Sequence, residues 1–107
     1  MSKQYAHGSL KKVCFDWLFG LGSLVWNNPT GSWKPDGYSR VYYGKKGSAD
    51  IHGITRRGKY IAVEVKVWPD VPSEDQEAFA EEIKKRGGVH VLVYSIHDLE
   101  AAAEAIA

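Results

Sequence analysis

The sequence predicts an α/β fold in which helices flank a mixed β-sheet. Three observations predict it: an apolar pattern of helical period near the start, two strand-like segments joined by a short turn in the middle, and a near-continuous apolar run close to the end. At 107 residues the chain has the length of one hydrophobic core, so residues 1–107 are interpreted as a single domain.

The first predicted helix begins near Leu10. Its apolar residues recur at the spacing of one helical face: Leu10, Val13, Cys14, Trp17, Leu18 and Leu21. Gly20 and Gly22 end this helix, because glycine is favoured just past a helix end. The short apolar run Ser23–Trp26 then predicts a strand.

Residues 28–37 are dense in turn-forming types and predict a loop. After it, Arg40–Tyr43 indicates another short strand. Ala49–Thr55 and Lys59–Trp68 are both strand-like, and the residues Arg56-Arg57-Gly58 between them predict a hairpin.

The second predicted helix starts at Ser73, because Ser73 and Gln76 have the spacing of a capping box. Its inward residues are Phe79, Ala80 and Ile83. The apolar run Val89–Tyr94 predicts a strand buried on both faces, and an alanine-rich last helix spans Asp98–Ile106. The predicted order is α-β-β-β-α-β-α.

Charge and composition restrict function only weakly. The net charge is +1, although basic residues cluster at Lys11-Lys12, Lys45-Lys46, Arg56-Arg57 with Lys59, and Lys84-Lys85-Arg86. Any one cluster is interpreted as a solvated face or a helix end, while together they permit phosphate contacts. The single cysteine, Cys14, forms no intrachain disulfide and is predicted to be buried. The sequence shows neither a secretion signal nor an apolar span of ~20 residues, so a cytoplasmic location without membrane association is expected.

The central hairpin carries the most informative pattern. One face of its second strand is apolar and the other is mixed, with Ile61, Val63, Val65 and Val67 opposed to Ala62, Glu64 and Lys66. The predicted turn sets a register that places Asp50 opposite Glu64 and Val65. Two carboxylates and a lysine are therefore predicted to converge on one patch. Gly47 and Gly53 are interpreted as leaving the backbone around Asp50 sterically open.

This patch has the chemistry of a hydrolytic metal site. The carboxylates of Asp50 and Glu64, with waters and the backbone carbonyl of Val65, are suitable ligands for Mg²⁺. The metal can activate water and stabilise charge on a phosphate, while Lys66 can orient the water or hold the phosphate. The alternative is a surface hairpin in which Lys66 forms an ion pair with either carboxylate. Geometry alone leaves both interpretations open.

The segment Gly47–Ile54 followed by Ile61–Lys66 resembles the core motif of PD-(D/E)XK nucleases, and more specifically the small stand-alone VRR-NUC domains. In that family a G-x-x-D-x-x-G strand pairs with an E-V-K strand, and a glutamine follows, here Gln76. The resemblance extends from about Leu10 to Leu99 and also includes Val25–Asn28, Gly31 and Gly87-Gly88.

The resemblance implies a restriction-endonuclease-like fold and a Mg²⁺-dependent endodeoxyribonuclease, with Mn²⁺ able to replace Mg²⁺. It implies that Asp50 and Glu64 hold the metal and that Lys66 serves the attacking water. Gln76 is expected to project toward the same site, or to act only as the capping partner of Ser73.

The resemblance also implies a homodimer that cleaves branched DNA, such as a Holliday junction or a flap. The small phage-type relatives indicate a role in replication, repair or recombination, in the cytoplasm of a host cell. Two alternatives remain: a non-catalytic nucleic-acid-binding module that keeps the nuclease fold, and a structural domain whose hairpin charges are solvated.

One departure from the family concerns the first helix, where a glutamate often reaches the metal. Here that helix has no glutamate, and the corresponding neighbourhood is near His7 to Leu10. Either His7 substitutes for the glutamate or it is an ordinary terminal residue, which is the interpretation we favour. Candidate DNA contacts are Asn27, Asn28, Lys45, Lys46 and His52. Turn formation explains the asparagines equally well, and His52 is favoured as a nearby polar side chain without a role.

Overall fold

The computed structural model describes residues 2–28, 31–33, 36–38, 41–43 and 45–107. The elements in chain order are α1 (Lys3–Gly20), β1 (Leu24–Asn27), β2 (Gly31–Trp33), β3 (Val41–Tyr43), β4 (Ile51–Ile54), β5 (Tyr60–Val65), α2 (Glu74–Lys85), β6 (Val89–Val93), α3 (Ile96–Ala101) and α4 (Ala103–Ile106).

The main sheet is mixed, as predicted. Its strand order is β1-β4-β5-β6, with antiparallel pairing of β1 to β4 and of β4 to β5, and parallel pairing of β5 to β6. The α2 helix connects the two parallel strands, which is the connection that parallel neighbours require. The predicted order α-β-β-β-α-β-α counts one strand fewer than the four predicted before the second helix, and it matches this sheet and the helices around it.

In the chain segment that connects β1 to β4, the strands β2 and β3 form a separate two-stranded antiparallel sheet. The strand predicted at Arg40–Tyr43 corresponds to β3, although Arg40 lies outside the described residues. β2 lies within residues 28–37, so the prediction of a simple loop there is wrong. The residues around β2 are turn-forming types and show no alternation of apolar and polar residues. The strand is recognised only from its pairing with β3, which the local sequence does not reveal.

Helices cover both faces of the main sheet. The larger core lies on the α1, α3 and α4 side and contains Cys14, Leu18, Val25, Ile51, Ile61, Val63, Val65, Val91, Val93, Leu99 and Ile106. A smaller cluster lies on the α2 side and contains Ala49, Ala62 and Phe79. The predicted alternation along β5 is confirmed, since its odd-numbered residues face the larger core and Ala62 faces α2.

The α1 helix begins at Lys3, well before the predicted start at Leu10. Ser2 caps it, with its Oγ accepting a hydrogen bond from the Tyr5 backbone N–H at 3.1 Å. The first two turns escaped prediction because their exposed and partly exposed side chains do not show the apolar period of the core-facing part.

The boundaries of the hairpin strands and of the last helix also differ from prediction. The hairpin strands are shorter than expected, and Trp68 lies in the turn that follows β5. The last helix begins at Ile96 and is interrupted at Ala102, giving α3 and α4. Among the described residues, no helix has both the length and the apolarity needed to cross a membrane.

Candidate active site

A cavity of about 540 Å³ opens where α1 begins, β5 ends and α2 begins. It is lined by Lys3, Gln4, His7, Asp50, Glu64, Val65, Lys66, Val67, Asp70 and Gln76. The structure therefore brings together the four residues predicted to be catalytic, which are Asp50, Glu64, Lys66 and Gln76.

The register of β4 and β5 places Asp50 beside the end of β5. Ile51 pairs with Val63, so Asp50, one residue earlier, lies next to Glu64 and Val65 as predicted. The Val65 backbone N–H donates a hydrogen bond to Asp50 Oδ2 at 2.8 Å. This bond fixes the carboxylate at the edge of the cavity.

Asn28 holds the backbone around Asp50. Its backbone N–H donates to the Asp50 carbonyl at 2.9 Å. Its side-chain amide donates to Ser48 Oγ at 2.7 Å and to the Ala49 carbonyl at 3.0 Å. Asn28 therefore positions the segment that carries Asp50, a role that the sequence interpretation did not include.

Glu64 is almost completely enclosed, with 4% of its surface exposed. Its Oε1 accepts a hydrogen bond from Gln76 Nε2 at 2.9 Å, and its Oε2 is buried without a hydrogen-bond partner among the described residues. Burial raises the pKa of Glu64 to about 8; the negative charge of Asp50 adds to this effect and Lys66 opposes it. The alternative of a solvated ion pair with Lys66 is wrong for Glu64.

Gln76 caps α2 and contacts Glu64 at the same time. Its Oε1 accepts from the Ser73 backbone N–H at 2.8 Å, while Ser73 Oγ accepts from the Gln76 backbone N–H at 3.2 Å. The predicted capping box is thus confirmed. Because capping uses the amide oxygen, the amide nitrogen remains available to donate to Glu64.

The donor set fits a hard divalent cation. Two carboxylates meet at the cavity, and a buried carboxylate oxygen without a partner is costly unless a proton or cation satisfies it. The Val65 carbonyl lies on the same side of β5 as its N–H, which faces Asp50. Within the described ranges, no three His, Cys, Asp or Glu side chains form a metal-binding group. The protein thus offers few ligands, as is usual for Mg²⁺, which retains several waters.

His7 lies in α1 and lines the cavity, with Nε2 3.5 Å from Asp50 Oδ2. The favoured interpretation of His7 as an ordinary terminal residue is wrong. Lys3 also lines the cavity and forms a 3.1 Å ion pair with Asp70. Neither Lys3 nor Asp70 was singled out from sequence. The signal that could have found Lys3 is its i, i+4 spacing to His7 in a helix capped by Ser2.

Gly47 and Gly53 serve close packing, so the interpretation of an open backbone around Asp50 is wrong. Gly47 has φ +82°, and a Cβ there would lie 2.4 Å from the Asp75 carbonyl oxygen at the start of α2. At Gly53 a Cβ would lie 2.6 Å from the Leu24 carbonyl oxygen on β1. Both glycines therefore permit close approach of neighbouring backbone.

The candidate DNA contacts fall into two groups. Asn27 and Lys45 are exposed, and Lys46 is exposed while forming an ion pair with Asp75. For these three residues DNA contact stays a prediction. His52 is buried beneath α2, where its Nδ1 is hydrogen-bonded to the Tyr60 hydroxyl. The side chains of His52 and Asn28 are thus committed to internal contacts.

No protein-family model and no curated protein matches the chain. The fold is nevertheless similar to a solved structure described as a VRR_NUC domain. The similarity has a TM-score of 0.67 and 26% sequence identity, and it covers 92% of this chain and 95% of the other. This similarity supports both the resemblance of the sequence motifs to VRR-NUC domains and the prediction of a restriction-endonuclease-like fold.

Proposed function

We propose that the chain is a metal-dependent endodeoxyribonuclease that hydrolyses phosphodiester bonds. The similarity of its fold to a VRR_NUC domain supports a nuclease-type function. One observation carries the proposal: Glu64, whose Oε2 is buried without a hydrogen-bond partner among the described residues, lines a cavity that Asp50 and Lys66 also line. Mg²⁺ is the expected cofactor, and Mn²⁺ is expected to replace it.

The metal would be held by Asp50, Glu64 and the Val65 carbonyl. A Mg²⁺ ion there supplies Lewis-acid activation of water and neutralises charge on the phosphate. The Val65 N–H orients Asp50 through Oδ2. Gln76 holds Oε1 of Glu64, so that Oε2 is the oxygen left for the cation.

Lys66 contributes a positive charge at the same cavity. Its ammonium group is suited to hold a phosphate oxygen or to orient the attacking water. Lys66 forms none of the ion pairs found among the described residues, so its ammonium group is not committed to a protein carboxylate. We assign Lys66 the role of orienting the attacking water.

The proposed substrate is branched DNA, such as a Holliday junction or flap, cleaved by a homodimer during replication, repair or recombination. The motivation is size, because one chain of 107 residues presents little surface to a branch point. A two-fold dimer would present two sites. We further propose a phage-type role in the host cytoplasm. Sedimentation that shows only monomers at high concentration would contradict the dimer.

A non-catalytic DNA-binding module is the second candidate. It is favoured by the small ligand set, since the described residues include no three-residue metal group and the first helix, where the family often has a glutamate, contains none. This candidate predicts DNA binding that does not require metal and is never followed by cleavage.

The testing experiment measures cleavage of labelled junction, flap and duplex DNA with Mg²⁺, Mn²⁺ or EDTA. Asp50→Ala and Lys66→Ala are each expected to lower the rate by at least about 100-fold. Lys59→Ala is the matched control, because Lys59 is exposed near the opposite end of β5. Metal-independent binding without cleavage in the wild type would support the second candidate.

A further inference from the structure

A second groove, here called the Trp68 groove, adjoins the active-site cavity. It has a volume of about 420 Å³, and Lys66 and Val67 line both spaces. One wall is α1, with Ala6, Leu10 and Val13 at the spacing of a single helical face. Whatever occupies the groove therefore lies next to the lysine that is proposed to serve the reaction.

The Trp68 groove is apolar and open to solvent. Trp68 is 76% exposed and Val13 is 49% exposed, although both are large apolar side chains. The polar groups among its described lining residues are the Lys66 ammonium and the hydroxyls of Ser9, Ser95 and Tyr94; none is acidic. An exposed apolar surface next to a lysine suits a ligand with a flat apolar face, and the absence of carboxylates from the described lining suits an anionic one.

Trp68 is exposed but braced. Its ring makes an edge-to-face contact with Tyr94, with centroids 5.9 Å apart and planes at 71°. The Tyr94 hydroxyl donates to the Asp70 carbonyl at 2.6 Å, and the Asp70 N–H donates to the Val67 carbonyl at 2.9 Å. Lys3 adds a 3.1 Å ion pair to Asp70. A side chain ordered before binding loses less conformational entropy when a ligand arrives.

We infer that the Trp68 groove receives an unstacked nucleobase of the cleaved strand, which stacks on Trp68. The inference rests on the proposed function and specifies its substrate. The Cα atoms of Lys66 and Trp68 can be at most about 7 Å apart. Because Lys66 and Val67 line both the cavity and the groove, the base belongs to a nucleotide close to the phosphate beside Lys66.

A nucleobase bound in the Trp68 groove accounts for the proposed preference for branched DNA. A base in continuous duplex must leave its stack and its pair before it can enter, whereas bases at junctions and flaps are already less constrained. Stacking on an aromatic ring tolerates every base, because each has a π-face. The groove therefore selects DNA structure and only weakly selects sequence.

The test is a double-mutant cycle between protein and DNA. Dissociation constants are measured with Ca²⁺, and cleavage rates with Mg²⁺, for flap substrates that carry one abasic site at successive positions beside the cut. In the wild type, one position is expected to weaken binding about tenfold. In Trp68→Ala the intact and abasic substrates are expected to bind equally, and Trp68→Phe is expected to retain most of the difference.

Phe19→Ala is the matched control, since Phe19 is 68% exposed at the opposite end of α1. It is expected to leave the abasic effect unchanged. Cleavage with no abasic position coupled to Trp68 would overturn the inference and leave the proposed function intact. Coupled binding without cleavage would support the groove and contradict the nuclease. Absence of DNA binding would contradict both.

Discussion

The two faces of the main sheet differ in what they bury. The face under α1, α3 and α4 buries mainly aliphatic side chains, with Leu18, Val63 and Leu99 fully enclosed. The face under α2 has a small apolar cluster and also encloses His52 and Glu64. The two faces share β5, so a single strand contributes to both. The difference teaches that most of the aliphatic core lies on one side of the sheet, while the buried carboxylate of Glu64 and the buried His52 lie on the other.

The largest expected effect tests the apolar face. Leu18→Ala is expected to lower the free energy of unfolding by ~3 kcal/mol, because a fully buried leucine leaves a cavity. DNA cleavage well below the melting temperature is expected to stay near the wild-type rate. Thermal denaturation followed by circular dichroism measures the first quantity.

Phe19→Ala is the neighbouring control for Leu18→Ala. Phe19 is exposed, so the change in stability is expected to stay within about 0.5 kcal/mol. Loss of cleavage in folded Leu18→Ala protein would break the comparison, because the apolar face would then contribute to catalysis directly.

The next effect concerns the α2 face at alkaline pH. Because the pKa of Glu64 is raised from 4.5 to about 8, the folded metal-free protein retains a proton that the unfolded chain releases. Stability is therefore present at low pH and lost as the pH rises from about 4.5 to 8. We expect a loss of ~3 kcal/mol, measured by urea denaturation in EDTA.

Glu64→Gln supplies the control for this alkaline loss, since the amide can still accept the bond from Gln76 and carries no charge. Its stability is expected to show no fall as the pH rises over the same range. Mg²⁺ at pH 8 is expected to restabilise the wild type but not the variant. An equal effect of Mg²⁺ on both proteins would place the metal away from Glu64.

The fold was predictable where local rules determine it. The hairpin turn and the alternation of β5 gave the register that brings Asp50 to Val65, and Ser73 with Gln76 gave the start of α2. The approach of His7 to Asp50 was not predictable in this way, because it depends on how α1 packs on the sheet. The Trp68 groove likewise arises between elements that are distant in sequence.

A smaller effect tests the α2 face at acid pH. Burial, together with the smaller effects of the charges of Lys84 and His52, lowers the pKa of His90 from 6.5 to about 4. The stability held by neutral His90 is present above about pH 6.5 and lost as the pH falls toward 4. Between pH 6.5 and 4 we expect the wild type to lose ~2 kcal/mol relative to His90→Leu, a difference that removes the opposing contribution of Glu64.

His97→Gln is the control for the acid effect, because His97 is exposed on α3. It is expected to follow the wild-type stability curve. Denaturant titrations at successive pH values measure all three proteins. An unchanged acid loss in His90→Leu would assign the effect to other groups, of which His52 is the first candidate, since burial lowers its pKa as well.

The smallest effect separates the two roles of Gln76, which links helix stability to the site. Ser73→Ala removes a cap of α2 and is expected to cost ~1 kcal/mol of stability with little change in cleavage. Gln76→Ala is expected to cost a similar amount and also to slow cleavage about tenfold, because Glu64 Oε1 loses its donor. Denaturation and single-turnover cleavage measure the two quantities. Equal slowing in both variants would show that Gln76 acts only through the helix cap, and the Glu64 contact would then have no separate role.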